Sequence, residues 1–225
     1  MKQALLLTLL ITILSSYNAG AQRFKADIIG GFNKSQVDGD ETAGFRKIGF
    51  NAGAGVTIPI YKNWNIGLET IYSQEGSRLK PQFNDSLDGS YKLLLNYVRV
   101  PLKIQYVDKN LVSGGAGISW GRLVKVEEFK DGYRVDSVTL LDGPFSRDDW
   151  QVFADVNIRV YKTFKVNLRY SYSIKKIAHR LVQDSEYGEM NLRKFYNNLW
   201  AIRLVYTINE SAPERQKLSR IAYPD

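Results

Sequence analysis

The sequence predicts an all-β fold, an eight-stranded antiparallel up-and-down transmembrane β-barrel. Three observations point there. Alternation with a period of two runs over stretches long enough to cross a bilayer. The connections are short and long by turns. The apolar face is too large for the inside of a small barrel. The clearest stretch is Trp150–Ile174. Trp150, Val152, Ala154, Val156, Ile158 and Val160 share one face, while Gln151, Phe153, Asp155, Asn157 and Arg159 share the other. After Tyr161-Lys162-Thr163 the alternation resumes. Phe164, Val166, Leu168, Tyr170, Tyr172 and Ile174 now oppose Lys165, Asn167, Arg169, Ser171, Ser173 and Lys175. Two such runs across a tight link make a hairpin, and each approaches the roughly 10 residues a tilted strand needs to span a membrane.

The chain opens with Lys2, an apolar run from Ala4 to Leu14, and Ala19-Gly20-Ala21 before Gln22. This is the order of a secretory signal peptide over residues 1–21, with the cut between Ala21 and Gln22. The apolar run falls short of the about 20 residues that a spanning helix needs. The expected barrel occupies 22–208. Residues 209–225, with Pro213 and mixed charges, are expected to form a short periplasmic tail. Cysteine is absent, so stability must come from hydrogen bonding and burial rather than disulfides.

Eight strands are expected at 23–32, 44–58, 63–75, 91–107, 110–125, 149–161, 163–175 and 195–208. In the second, Ile48, Phe50, Ala52, Ala54, Val56 and Ile58 face one way. Trp64, Ile66, Leu68 and Tyr72 do so in the third, and Val98, Val100, Leu102, Ile104 and Tyr106 in the fourth. Trp200, Ile202, Leu204, Tyr206 and Ile208 form the apolar face of the eighth. The links at 59–62, 108–109 and around Lys162 are short, whereas 33–43, 76–90, 126–148 and 176–194 are long and polar. Short turns in the periplasm and long loops outside are the pattern of an outer-membrane barrel.

A lipocalin-like barrel has the same period with its faces reversed, so volume decides. Eight strands enclose an interior just wide enough for side chains or one small ligand, and the apolar set would not fit. It therefore faces lipid. Trp64, Tyr106, Trp120, Trp150, Phe164 and Trp200, near strand ends, are the expected aromatic girdle. The inward face then carries Lys25, Asp27, Lys47, Glu69, Glu75, Arg99, Lys103, Asp155, Arg159, Lys165, Arg169, Lys175 and Arg203. Charges in so narrow a space must be paired or hydrated. The expectation is a salt-bridged plug, in which Lys and Arg outnumber the carboxylates and inward glycines make room for them. Outer-membrane lipid is the expected surrounding.

Other chemistry finds little support. The surplus of base lies on strands and short turns while the long connections are net acidic, so no basic patch suits nucleic acid. No cofactor or metal site is expected. Cys/His metal sites are excluded by composition, and Asp38-Gly39-Asp40-Glu41 lacks the ligand spacing of a calcium loop. His179, the single histidine, has Ser173, Asp184, Ser185 and Glu186 near it in sequence, but reads as incidental.

A signal peptide ending Ala-Gln, the phrase Tyr97-Val98-Arg99-Val100-Pro101-Leu102-Lys103, and glycine-rich second and fifth strands coincide. Together they resemble the PorT-like outer-membrane β-barrel family of Bacteroidetes. The resemblance implies an eight-stranded outer-membrane barrel. For the namesake members it also implies a part, with other envelope proteins, in type IX secretion and gliding. The leading expectation is a non-enzymatic structural or accessory protein. A small-solute porin-like channel and a lipid-modifying enzyme are the alternatives.

Overall fold

The computed structural model describes residues 24–40, 42, 44–80, 89–109, 111–183 and 190–208. The expected signal peptide, with its expected Ala21/Gln22 cut, and the expected tail lie outside these residues. Ten strands follow in order: β1 (Lys25–Asp38), β2 (Lys47–Tyr61), β3 (Trp64–Leu79), β4 (Tyr91–Asp108), β5 (Val112–Lys130), β6 (Tyr133–Arg134), β7 (Asp148–Tyr161), β8 (Phe164–Ser173), β9 (Ala178–Gln183) and β10 (Met190–Ile208). All pairings are antiparallel. The order β1-β2-β3-β4-β5-β7-β8-β10 closes on itself through thirteen β1–β10 register pairs, from Ala26↔Ile208 to Asp38↔Tyr196. Closure leaves no unpaired edge, which is what lets a sheet cross lipid.

Eight strands thus build the barrel, and the count of ten corrects the expected eight only outside it. The two-residue β6 folds back on the end of β5 across Asp131-Gly132, both at positive φ. After β8 the chain bends at residues 174–177, then β9 pairs with the far end of β10. The strands are also longer than expected at the long-loop end. β1 runs to Asp38, β3 to Leu79 and β5 to Lys130, while β10 begins at Met190. Much of what reads as loop is strand.

The reason is an inversion of the hydrophobic pattern. Along the lower two thirds of the barrel, Ile66, Leu68, Leu102, Ile104, Val156, Ile158, Ile202 and Leu204 are exposed, as expected of a lipid face. Above that level Lys34, Arg78, Lys92 and Lys194 are exposed instead. There Val37, Leu93, Leu95, Tyr97, Leu123, Val126, Ile177 and Phe195 are buried inside. A bulge in β5 accompanies the change: Tyr97 pairs with Leu123 but Asn96 with Lys125, so the inward parity shifts by one residue. The mouth is filled by an ordinary apolar core, to which the segment after β6 adds Val138 and Phe145.

Aromatic side chains mark two levels on the outer face. At the short-turn end Trp64 meets Tyr106 edge-on, with centroids 5.3 Å apart, and Phe164 meets Tyr206 at 5.0 Å. Higher up, Trp120 pairs with Trp150, and Tyr170 meets Trp200 at 4.8 Å. Trp120 and Trp200 lie mid-strand rather than near an end, because β5 continues ten residues beyond Trp120 and β10 begins ten residues before Trp200. From Trp64 to Tyr72, at ~3.3 Å per residue, the strand covers roughly 26 Å. A tilt of about 40° reduces this to about 20 Å of membrane, close to the usual apolar band.

Candidate functional site: the barrel lumen

Below the apolar cap the lumen holds two layers of ion pairs. In the upper one Arg99 on β4 grips Glu75 on β3 with two parallel hydrogen bonds, Nε to Oε1 and Nη2 to Oε2, both 2.6 Å. Its Nη2 also reaches Asp149 Oδ2 on β7 at 2.7 Å. Asp149 accepts further bonds from Gln151 (3.0 Å), Asn197 (3.0 Å) and Ser173 (2.8 Å). The guanidinium lies 4.4 Å from the Tyr97 ring centroid, which ties this layer to the cap.

The lower layer gathers Glu69 and Asp155 among three cations. Arg169 Nη2 reaches Glu69 at 2.9 Å and Asp155 at 2.6 Å. Lys103 Nζ lies 2.9 Å from Glu69 and 3.6 Å from Asp155, and Arg203 approaches the same two at 3.1 and 3.6 Å. Arg203 Nε donates to Asn167 at 2.8 Å. Between the layers, Phe153 lies under the Arg169 guanidinium at 4.0 Å and forms an apolar floor with Ile71, Pro101, Leu199 and Ala201. Pro101 has no N–H to give, and the β3–β4 ladder lapses opposite it, between Leu68↔Leu102 and Ile71↔Arg99.

Glycines sit beside these charges because a side chain there would collide. A Cβ on Gly121 would come 2.5 Å from Arg99 Nη1, on Gly67 2.9 Å from Lys103 Cε, and on Gly55 3.1 Å from Glu69 Cγ. Gly115 stands in the same relation to Asp155 at 3.0 Å. The inverted pattern of the chain, glycine and charge inside, is a packing solution for a narrow bore.

The expected inward residues divide by height. Glu69, Glu75, Arg99, Lys103, Asp155, Arg169 and Arg203 form the two layers. Lys25, Asp27, Arg159 and Lys165 line the short-turn mouth, where Asp27 accepts from Thr57 at 3.0 Å and Thr207 at 2.6 Å. Lys47 is buried near the long-loop end and donates to the Ile48 carbonyl at 2.8 Å. Lys175 is exposed in the bend after β8, so its inward placement is corrected. Asp149 was not expected, although it shares the parity of Gln151 and Asp155. With it the two layers hold four cations and four carboxylates, which corrects the expected basic excess at this level.

His179 is exposed on β9, while Ser173 is fully buried and spends its hydroxyl on Asp149. Asp184, Ser185 and Glu186 lie outside the described residues. At the long-loop rim Asp40 accepts bonds from Thr42 and Ser77, and burial raises its carboxyl above the ordinary value despite them. No group of three metal-ligating side chains occurs among the described residues.

A family model for the outer membrane protein beta-barrel domain matches residues 15–179, most of the chain. The chain belongs to this family. It is an outer-membrane protein. Similar solved structures include Ail, the attachment invasion locus protein of Yersinia pestis, at 15% identity and TM-score 0.47, covering 82% of this chain and 98% of that one. Neisserial surface protein A is similar at 11% identity and TM-score 0.46, with 84% and 99% covered. OprG from Pseudomonas aeruginosa is similar at 16% identity and TM-score 0.42, with 85% and 99% covered. No curated protein is matched.

Proposed function

We propose that this outer-membrane barrel is a closed, non-enzymatic element of the envelope, acting through its outer rim as a structural or accessory protein. The observation that carries the reading is the filled bore. The mid-lumen ion pairs join β3, β4, β7, β8 and β10, and the apolar cap lies directly above them. Buried ions left without partners cost several kcal/mol each, so an open path would have to break interactions that span the barrel. Recorded in planar bilayers, the purified protein should show no steady conductance steps. Reproducible ohmic steps would replace this reading with that of a channel.

The proposed orientation puts the short turns at Lys62, Lys109 and Lys162 in the periplasm and the long connections outside. A thiol label placed at Asp142, beside Gly143, should be reachable on intact cells, and one at Lys109 should not. The resemblance carried by Tyr97–Lys103 supports a place beside type IX secretion components. Four of its residues point inward, Tyr97 and Arg99 to the cap and upper layer, Pro101 and Lys103 to the floor and lower layer. Deleting the gene should then reduce surface delivery of type IX cargo, and unchanged delivery would remove the secretion role.

A further inference from the structure

We infer that the β2–β3 and β7–β8 turns are a matched pair of binding sites for the phosphate of a membrane-lipid headgroup. The two corners are built alike. Each has a bulge at the same place: Pro59 pairs with Asn65 but Tyr61 with Trp64, and Arg159 pairs with Lys165 but Tyr161 with Phe164. In each, the residue after the tyrosine is a lysine in the left-handed region, Lys62 at φ 46° and Lys162 at φ 43°. Glycine or asparagine takes that conformation at less cost, so the lysine side chain must be explained by what it does. Lys62 Nζ lies 5.0 Å from the Tyr61 ring centroid, and Lys162 Nζ lies 5.1 Å from that of Tyr161. The carbonyls of Asn63 and Thr163 accept from the amides of Val107 and Thr207. Each turn is thereby seated against the neighbouring strand beside an aromatic pair, Trp64 with Tyr106 and Phe164 with Tyr206. Four strands separate the two corners in either direction round the closed barrel, so they stand on opposite sides.

The order of side chains outward from the membrane names the occupant. The girdle aromatics mark the edge of the apolar band. Just beyond them each corner exposes an aliphatic side chain, a tyrosine and an ammonium: Ile60, Tyr61 and Lys62 in one, Val160, Tyr161 and Lys162 in the other. A ring face attracts a cation without neutralising it. Among the described residues neither lysine has an ion-pair partner. An acyl chain against the aliphatic residue and a phosphate on the ammonium match that order, and the chain is an outer-membrane protein. Lys109 in the β4–β5 turn has the same conformation, at φ 46°, but follows Asp108 where the two corners have tyrosine, so it is not a third site.

Native mass spectrometry of the purified protein, released from detergent with phosphatidylglycerol added, tests the pair. The parent protein should retain two lipid molecules, K62Q and K162Q one each, and K62Q/K162Q none. K109Q should retain two, and arginine at both corners, K62R/K162R, should restore two. All three lysines are exposed on turns, and heat-modifiable electrophoretic migration checks that each variant is a folded barrel. Two lipids retained by K62Q/K162Q, or a loss in K109Q equal to that in K62Q, overturns the sites. None of these outcomes bears on whether the bore conducts.

Discussion

At the scale of single residues, the glycines beside the buried charges carry the most testable energetics. Gly121 faces a guanidinium pinned by Glu75 and Asp149, so an added methyl has nowhere to push it. Gly121→Ala should destabilise the barrel by about 1–3 kcal/mol, the usual range for overpacking. Gly114, with nothing within 4 Å of its would-be Cβ, should accept alanine with no loss. Urea unfolding in lipid vesicles checks both. This relation was half legible in the sequence. Parity alone put glycine and charge on the same face, but it did not reveal which glycine serves which charge, because that depends on register between strands. Asp149 was missed for a related reason: it stands at the boundary where the expected strand begins, one residue before Trp150.

At the scale of elements, the membrane-spanning part of each strand was legible because lipid outside and charge inside give alternation of one sign. Above the outer aromatic level the sign reverses. Leu93, Leu95 and Tyr97 point in while Lys92 points out, and a pattern that changes sign within one strand looks like the end of that strand. The bulge at Val124-Lys125 hides the continuation of β5 in the same way. The cap is therefore the least expected element and a clear target. Phe145, buried against Val138, Phe195 and their neighbours, anchors the connection between β6 and β7 to the mouth. Phe145→Ala should remove about 3–5 kcal/mol of local packing. On intact vesicles it should make the chain near Gly143 sensitive to protease while the spanning strands stay protected. Unchanged resistance would show that the cap is held by other contacts.

At the scale of the whole molecule, the account rests on a bore held shut by paired charge rather than filled with screening water. Asp155 is the sharpest probe, because Arg169 binds it directly and Lys103 and Arg203 lie within 3.6 Å. Asp155→Asn keeps the shape and removes one of the two negative charges that hold three cations together. Asp148 provides the control: it pairs with Arg122 at 2.8 Å on the outer face, with both side chains 40% exposed. Breaking a buried pair costs about 3–5 kcal/mol, whereas an exposed pair contributes about 0–1 kcal/mol. The decisive measurement is the urea unfolding midpoint of the two variants beside the parent protein. Asp155→Asn should lower the midpoint clearly while Asp148→Asn leaves it near the parent value. Equal midpoints would mean that the lumen charges are screened by water, contradicting a closed, ion-paired bore.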